Sequence, residues 1–554
     1  MRGNCYPPRP VPGPARPRIV AQASGFGAAG FGACDSETPR ISLISWLPLP
    51  APPRQRPLTA RRQTHAGGFL LFALLTLAAA ACGPRPPAGL RQLHLCSGDE
   101  GPADAYCGSL TVFENRQTNT GRRISLAIVV LPALNDDYRA DPLFFLAGGP
   151  GQGAASMASL VKTAFARVQK HRDVVLVDQR GTGHSHPLNC EDDQESLQNV
   201  FAGDEVVAKR LEECLHGYDA DVRLYTTPIA MDDLDDVRAY LGYPTVNLYG
   251  GSYGTRAALV YLRRHPAQVR SMVLDGVAPT DMRLPLFAAR DASRALDTLF
   301  DACQRETSCN AAYPSLRADT AALITRLESA PARVSLTHPR TGRTEMVSVT
   351  ARSVASAILG ALYSPTTAAM LPLLLSRATH DDFQGLLALS FASDPSENLS
   401  VGMQLSVLCS EDADRIDPDD VRTATASTIF GRELLDPQLA ACRTWPKGTV
   451  PADYTAPVTS DVPALVLSGE LDPVTPPSWG EEVTRHLSRG RHFVSKATGH
   501  GVATTPCGAR VVADFFERGS TDGLDTACLA SPTRPPFFLT PSGPDPSART
   551  SGSR

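Results

Sequence analysis

The sequence predicts an α/β protein: a doubly wound, mostly parallel sheet interrupted by a large helical insertion. Three observations predict it. Short apolar runs bounded by turn residues recur along the chain, as buried strands do. Amphipathic helical stretches alternate with them, which is the order of a doubly wound sheet. The alternation then stops between roughly residues 285 and 455, where Leu/Ala-rich helical sequence such as 368–375 takes over.

The strand candidates are 124–131, 143–147, 174–177, 246–249, 271–274, 464–467 and 492–494. Between the third and fourth, Met231, Leu234, Val237 and Leu241 recur at helical spacing among acidic residues, the mark of a helix with one buried face. An insertion of about 170 residues inside such a core reads as a cap over the active face. The expected division is therefore a core over 83–284 and 456–530, a helical cap over 285–455, and a Pro/Ser/Gly-rich flexible tail over 531–554.

The chain has 554 residues, 42% hydrophobic and 20% charged, which excludes a mainly disordered, collagenous or multi-spanning protein. With 53 basic and 57 acidic residues the net charge is −4, so no basic surface argues for a nucleic-acid partner. The charge is uneven. Residues 1–82 hold nine Arg, no Lys and two acids. Within them, 1–57 contains twelve Pro and no apolar period, a composition expected to be disordered. Arg61-Arg62, the apolar run 69–81 and Cys82 follow. That run is too short to span a bilayer, where about 20 residues are needed. Basic flank, apolar stretch and small residues make 58–82 a secretory signal. Cys82 after three Ala is similar to a bacterial lipobox, although Ala79 stands where Leu is commoner. A lipid anchor on Cys82, ordinary cleavage after Ala81 and an uncleaved anchor stay open. A signal this far inside leads to the expectation that translation starts downstream of Met1.

Cysteine usage agrees with export. Setting aside Cys5, Cys34 and Cys82 leaves ten, in near-neighbour pairs: Cys96/Cys107, Cys190/Cys214, Cys303/Cys309, Cys409/Cys442 and Cys507/Cys528. In an oxidising compartment such pairs become disulfides, and pairing in sequence order is the simplest connectivity. Zinc is the competing reading, but no pair has CxxC spacing with a His partner.

The chemistry-bearing motifs stand at the C-terminal ends of the expected strands, where open α/β sheets place their sites. Gly250-Gly251-Ser252-Tyr253-Gly254 lies between the strand VNLY and the helical sequence TRAALVYLRRH. This is the GxSxG form of a nucleophile elbow, a turn that lifts a serine hydroxyl into the open. Serine needs a base, and the base an orienting acid. The order Ser…Asp…His supplies both: Asp472 follows PALVLSGE and His500 follows HFVS. Their rivals are Glu470, two residues from Asp472, and His492, which falls inside an expected strand. Gly148-Gly149-Pro150-Gly151 follows LFFLA. Acyl transfer puts negative charge on a carbonyl oxygen that backbone amides must meet. The Gly149 and Tyr253 amides are the candidate donors. A phosphate loop is disfavoured, since no GK[ST] follows. Arg180, in Asp178-Gln179-Arg180-Gly181-Thr182-Gly183, is expected to brace the fold more than to line the site, and Asp275 to be structural.

GGPG, DQRGTGHS, GGSYGT, VLDGV, GELDPVTP and GHG together resemble the prolyl aminopeptidase and tripeptidyl aminopeptidase-like serine peptidases of the α/β-hydrolase fold. The resemblance spans about residues 110–528, and its most specific part is GELDPVTP…GHG…Cys507. Ala147 stands where prolyl aminopeptidases usually carry His, and Tyr253 replaces their Trp. Both departures point to the exported, tripeptidyl-type branch. The resemblance implies removal of residues from a peptide with a free N-terminus, without metal or organic cofactor. An ammonium in a partly dry site needs carboxylates, and Cys409-Ser410-Glu411-Asp412 in the expected cap is similar to the family's acidic motif. Glu411 is the first candidate for the amino-group anchor and Asp412 the second; a helix-capping or surface pair is the bland alternative.

Two other functions compete. A carboxylesterase would use the same triad without an amino-group anchor. A catalytically silent binding protein would keep the fold, though such proteins usually lose a triad member and here all three stand. Dehalogenase-like relatives use an Asp nucleophile, which Ser252 argues against.

Overall fold

Each apolar run lies in a strand, because runs buried on both faces suit a sheet covered by helices on both sides. The structure, a computed structural model, describes residues 88–190, 196–392 and 399–544. The Pro-rich stretch, the signal and Cys82 lie outside the described residues.

The strands are β1 (His94–Leu95), β2 (Tyr106–Phe113), β3 (Arg123–Leu131), β4 (Leu143–Leu146), β5 (Val174–Val177), β6 (Val246–Gly251), β7 (Val269–Asp275), β8 (Ala332–Thr337), β9 (Thr344–Val349), β10 (Ala464–Gly469) and β11 (Gly490–Ser495). Nine form one sheet in the order β1-β2-β3-β5-β4-β6-β7-β10-β11. Pairing is antiparallel from β1 through β3 to β5 and parallel from β5 onward. Sequence periodicity misses β1 and β2. β2 is a half-exposed strand whose burial alternates only in part, so it carries no continuous apolar run.

Alternate side chains feed two cores. Phe144, Leu146 and Leu248 enter one with α2 (Thr227–Tyr240) and α3 (Tyr253–Arg264). Phe145, Leu176 and Tyr249 enter the other with α1 (Ala158–Ala164) and α7 (Pro506–Arg518). A third core is built by the insertion around α4 (Ala288–Arg305) and α5 (Ala351–Leu362).

The insertion is helix-rich, as expected, and β8 and β9 add an antiparallel hairpin within it. Two expectations need correction. The stretch 285–455 is not all cap: α6 (Val401–Glu411) places Met403, Leu405, Val407 and Leu408 in the first sheet core, because its apolar residues continue that core's surface. The described part of the tail is docked. Phe537 is 1% exposed within the insertion's core, and the Phe538 amide donates to the Ala369 carbonyl at 3.0 Å. Pro and Ser content signalled a loose tail, but two adjacent Phe outweigh it.

The five disulfides join the pairs expected from sequence order, which leaves none of those ten thiols free to hold zinc. No helix among the described residues is long and apolar enough to cross a membrane.

Candidate active site

Five loops meet along the C-terminal edge of the parallel strands. β4 runs into Gly148-Gly149, β6 into Ser252, β7 ends at Asp275, β10 runs into Asp472, and β11 into His500.

Ser252 has φ 56° and ψ −126°, backbone space that a non-glycine residue occupies only when its surroundings impose it. Here they do. A Cβ on Gly250 would lie 2.2 Å from the Gly254 carbonyl oxygen, and one on Gly254 would lie 2.2 Å from that of Leu146. The turn is thus pressed between β4 and its own helix, and the Ser252 amide donates to the Asp275 carbonyl at 2.9 Å.

His500 Nδ1 lies 2.8 Å from Asp472 Oδ2. The Asp472 side chain is fully buried, while 12% of the His500 side chain remains exposed. The amides of Val474 and Thr475 donate to Asp472 Oδ1 at 2.9 and 2.8 Å. Burial pushes this carboxyl up, but His500 and the two amides outweigh it and hold it below its ordinary value. Burial pushes the imidazole down, and Asp472 more than offsets that, so His500 stays above an ordinary histidine. No hydrogen bond joins Ser252 Oγ to His500 among the described residues. Both line one pocket of about 320 Å³, and catalytic hydrogen bonds often tighten only with substrate in place.

The rivals stand elsewhere. Glu470 is taken by Lys496 Nζ at 2.7 Å and the Ala497 amide at 3.0 Å. His492 Nε2 is 2.9 Å from Ser468 Oγ. Gly149 lines the pocket beside Ser252. Tyr253 is the first residue of α3, so its amide has no partner within the helix. Its phenol is turned away and hydrogen-bonded to Thr227 Oγ1 at 2.6 Å.

The structure does not bring Glu411 and Asp412 into the pocket. Both side chains are fully buried beside Arg256. Asp412 Oδ2 accepts from Arg256 at 2.8 Å and Oδ1 from Arg415 at 2.6 Å. Glu411 accepts from the Thr227 amide at 2.6 Å, the Thr227 hydroxyl at 2.9 Å and the Tyr454 hydroxyl. The expected amino-group anchor is corrected on that ground: the pair ends a core helix, and its oxygens are spent on the fold.

Arg180 braces, as expected. It is fully buried, its Nε donates to Asp233 at 2.6 Å, and its Nη1 reaches the carbonyls of Glu114 and Leu224. Asp275 accepts from the amides of Val502 and Ala503 at 2.9 and 2.7 Å, pinning the loop that carries His500.

Sequence reasoning misses two residues at the site. Thr475 Oγ1 donates to Asp472 Oδ2 at 2.9 Å and lies 3.2 Å from His500 Nδ1. Its signal was present, three residues after Asp472 in GELDPVTP. Tyr363 comes from the insertion, just after α5. Its carbonyl accepts the His500 amide at 2.9 Å, and its ring meets the imidazole edge-on at 5.0 Å between centroids. Nothing local in the sequence marks it.

The chain is similar to known hydrolases. A family profile described as TAP-like protein matches residues 427–528, and one described as alpha/beta hydrolase fold matches 141–307. The serine protease Hip1 of Mycobacterium tuberculosis is 28% identical over 468 residues, covering 78% of this chain and 87% of that protein. The tripeptidyl aminopeptidase of Streptomyces coelicolor is 27% identical over 470 residues, covering 78% and 85%. A shorter match, 30% over 136 residues, is to the proline iminopeptidase of Neisseria gonorrhoeae, covering 24% of this chain and 32% of that one.

Proposed function

Because this chain belongs to the serine peptidases of the α/β-hydrolase fold, we propose that it is an exported aminopeptidase of the tripeptidyl type. Ser252 attacks the scissile carbonyl, His500 takes the hydroxyl proton through Nε2, and Asp472 holds the imidazole tautomer and steadies the imidazolium. The amides of Gly149 and Tyr253 receive the oxyanion. His500 then protonates the leaving amine, and water frees the acyl group. The observation that carries these roles is the single pocket shared by the strained Ser252 and a His500 whose other nitrogen rests on buried Asp472.

The tripeptidyl form fits the pocket's chemistry. Among the described residues, Asp275 is the only carboxylate that lines it, and its oxygens accept from backbone amides and the Tyr249 phenol. An enzyme removing one residue would need a carboxylate within a few ångströms of Ser252. Three extended residues set the ammonium about 10 Å from the scissile carbonyl. Five disulfides, which persist in oxidising compartments, support export.

The absence of a free carboxylate among the described lining residues favours a second reading, carboxylesterase. Tripeptide anilides with free and acetylated N-termini, beside a short-chain ester and Ser252→Ala, decide between them. Cleavage of the free-amine anilide, falling on the order of 10⁶-fold in kcat for Ser252→Ala, is expected. Turnover of the ester alone would establish the esterase.

A further inference from the structure

We infer that the pocket beside Ser252 selects a bulky apolar side chain on the residue whose carbonyl is attacked, an inference that rests on the serine-peptidase reading above. Its floor is three aromatic rings. Phe145 and Tyr249 stack at 5.2 Å and 15°, while Phe165 meets Tyr249 edge-on at 4.7 Å and Phe145 at 5.8 Å. The Tyr249 hydroxyl, the only polar atom on these rings, donates to Asp275 Oδ2 at 3.0 Å, so it is occupied by the fold. Val161 and Met157 from the segment after the Gly149 loop form one wall. Leu160, 51% exposed, stands at the rim, an apolar side chain left uncovered where a substrate would enter.

The assignment to the acyl side follows from the reaction. The leaving amine must pass His500 and depart, whereas the acyl part stays on Ser252 Oγ until water arrives. The space adjoining both Ser252 and the Gly149 loop is therefore filled by the retained residue. At about 320 Å³ it has the size of a small-ligand site, larger than an alanine methyl can fill. A Lys or Asp side chain there would lose its hydration against the aromatic floor, and Asp275, the one carboxylate among the described lining residues, is already hydrogen-bonded to two amides and the Tyr249 phenol.

The test uses the full chain and free tripeptide anilides of the form Ala-Ala-Xaa. Phe and Leu at Xaa are expected to exceed Ala in kcat/KM by roughly 10- to 100-fold, the range implied by burying a whole apolar side chain, with Asp and Lys below Ala. Ala164→Phe, which adds a ring to the lining, is expected to cut Phe and Leu turnover about tenfold and bring their order toward Ala. Should overpacking prevent that variant from folding, Met157→Glu on the half-exposed wall is expected to raise Lys turnover above that of the parent. Highest turnover with Ala, Asp or Lys at Xaa would overturn the inference. If no anilide is cleaved, the peptidase reading fails separately, and p-nitrophenyl esters still read the pocket: 3-phenylpropionate faster than acetate sustains it, and acetate faster overturns it.

Discussion

Asp472 receives four donors: two backbone amides on Oδ1, and the Thr475 hydroxyl and His500 Nδ1 on Oδ2. A buried carboxylate is affordable only when its lone pairs are met in this way. Thr475 is the one side chain among those donors to which the proposed mechanism assigns no proton. Its hydroxyl, 3.2 Å from Nδ1, also limits how the imidazole can tilt about its bond to Asp472. Thr475→Val keeps the shape and removes both contacts. A hydrogen bond to a charged group is worth about 1.5–3 kcal/mol, so kcat is expected to fall roughly 10- to 100-fold. KM should change little, because the hydroxyl faces the acid and the base, not the pocket. Steady-state kinetics on the best anilide measures this; a rise in KM at constant kcat would place Thr475 in substrate binding instead.

The elements act through contacts between loops far apart in sequence. The loop after β11 is pinned from below by Asp275 and from above by the carbonyl of Tyr363 at the end of α5. A Cβ on Gly499 would lie 2.2 Å from that carbonyl oxygen, so Gly499→Ala must push the loop and α5 apart. Since the obstacle is backbone, no side-chain rotation relieves it. We expect kcat to drop at least about tenfold and the melting temperature to fall by several degrees, as a 1–2 kcal/mol strain implies. Activity per fluorophosphonate-titrated serine, beside thermal melting, separates loop displacement from loss of folded protein; unchanged kcat would mean that α5 does not position the base. These contacts mark the boundary of what local sequence reveals. The placement of Ser252, Asp472 and His500 along one sheet edge was legible because each follows an apolar strand in a turn of recognisable composition. Tyr363 was not, since its role depends on where an insertion of ordinary helical sequence lands. Glu411 misled for the reverse reason. An acidic pair beside a Cys in an expected cap reads as a ligand site, yet α6 carries enough Leu, Val and Met to sink into the sheet core, and its terminal acids go with it.

On the scale of the whole molecule, that sunken pair makes stability depend on pH. Arg256, Glu411 and Asp412 are fully buried together where α2, α3, α6 and the segment around Tyr454 meet. Two carboxyls face one buried guanidinium, and the sharing is unequal. Asp412 takes Arg256 at 2.8 Å, whereas Glu411 stands 3.9 Å from it. Burial consequently dominates at Glu411 and pushes its carboxyl up to about 7. An unfolded chain releases that proton near the ordinary 4.5, so between these values the folded state binds the extra proton. Stability then falls as pH rises through the window and levels off above it. At about 1.4 kcal/mol for each tenfold change in proton affinity, the loss attributable to Glu411 is about 3 kcal/mol. Glu411→Gln keeps the shape and removes the ionisation. Denaturant unfolding at pH 5 and pH 8 is expected to show the parent losing about 2–3 kcal/mol more than the variant across that interval, most of the full loss. Equal losses would mean that Arg256 holds both carboxylates ionised throughout. The same cluster supports α3, whose first amide is that of Tyr253, the proposed oxyanion donor, and Thr227 joins Glu411 to the Tyr253 phenol. A proton gained or lost at Glu411 is therefore felt first beneath Ser252, the proposed nucleophile.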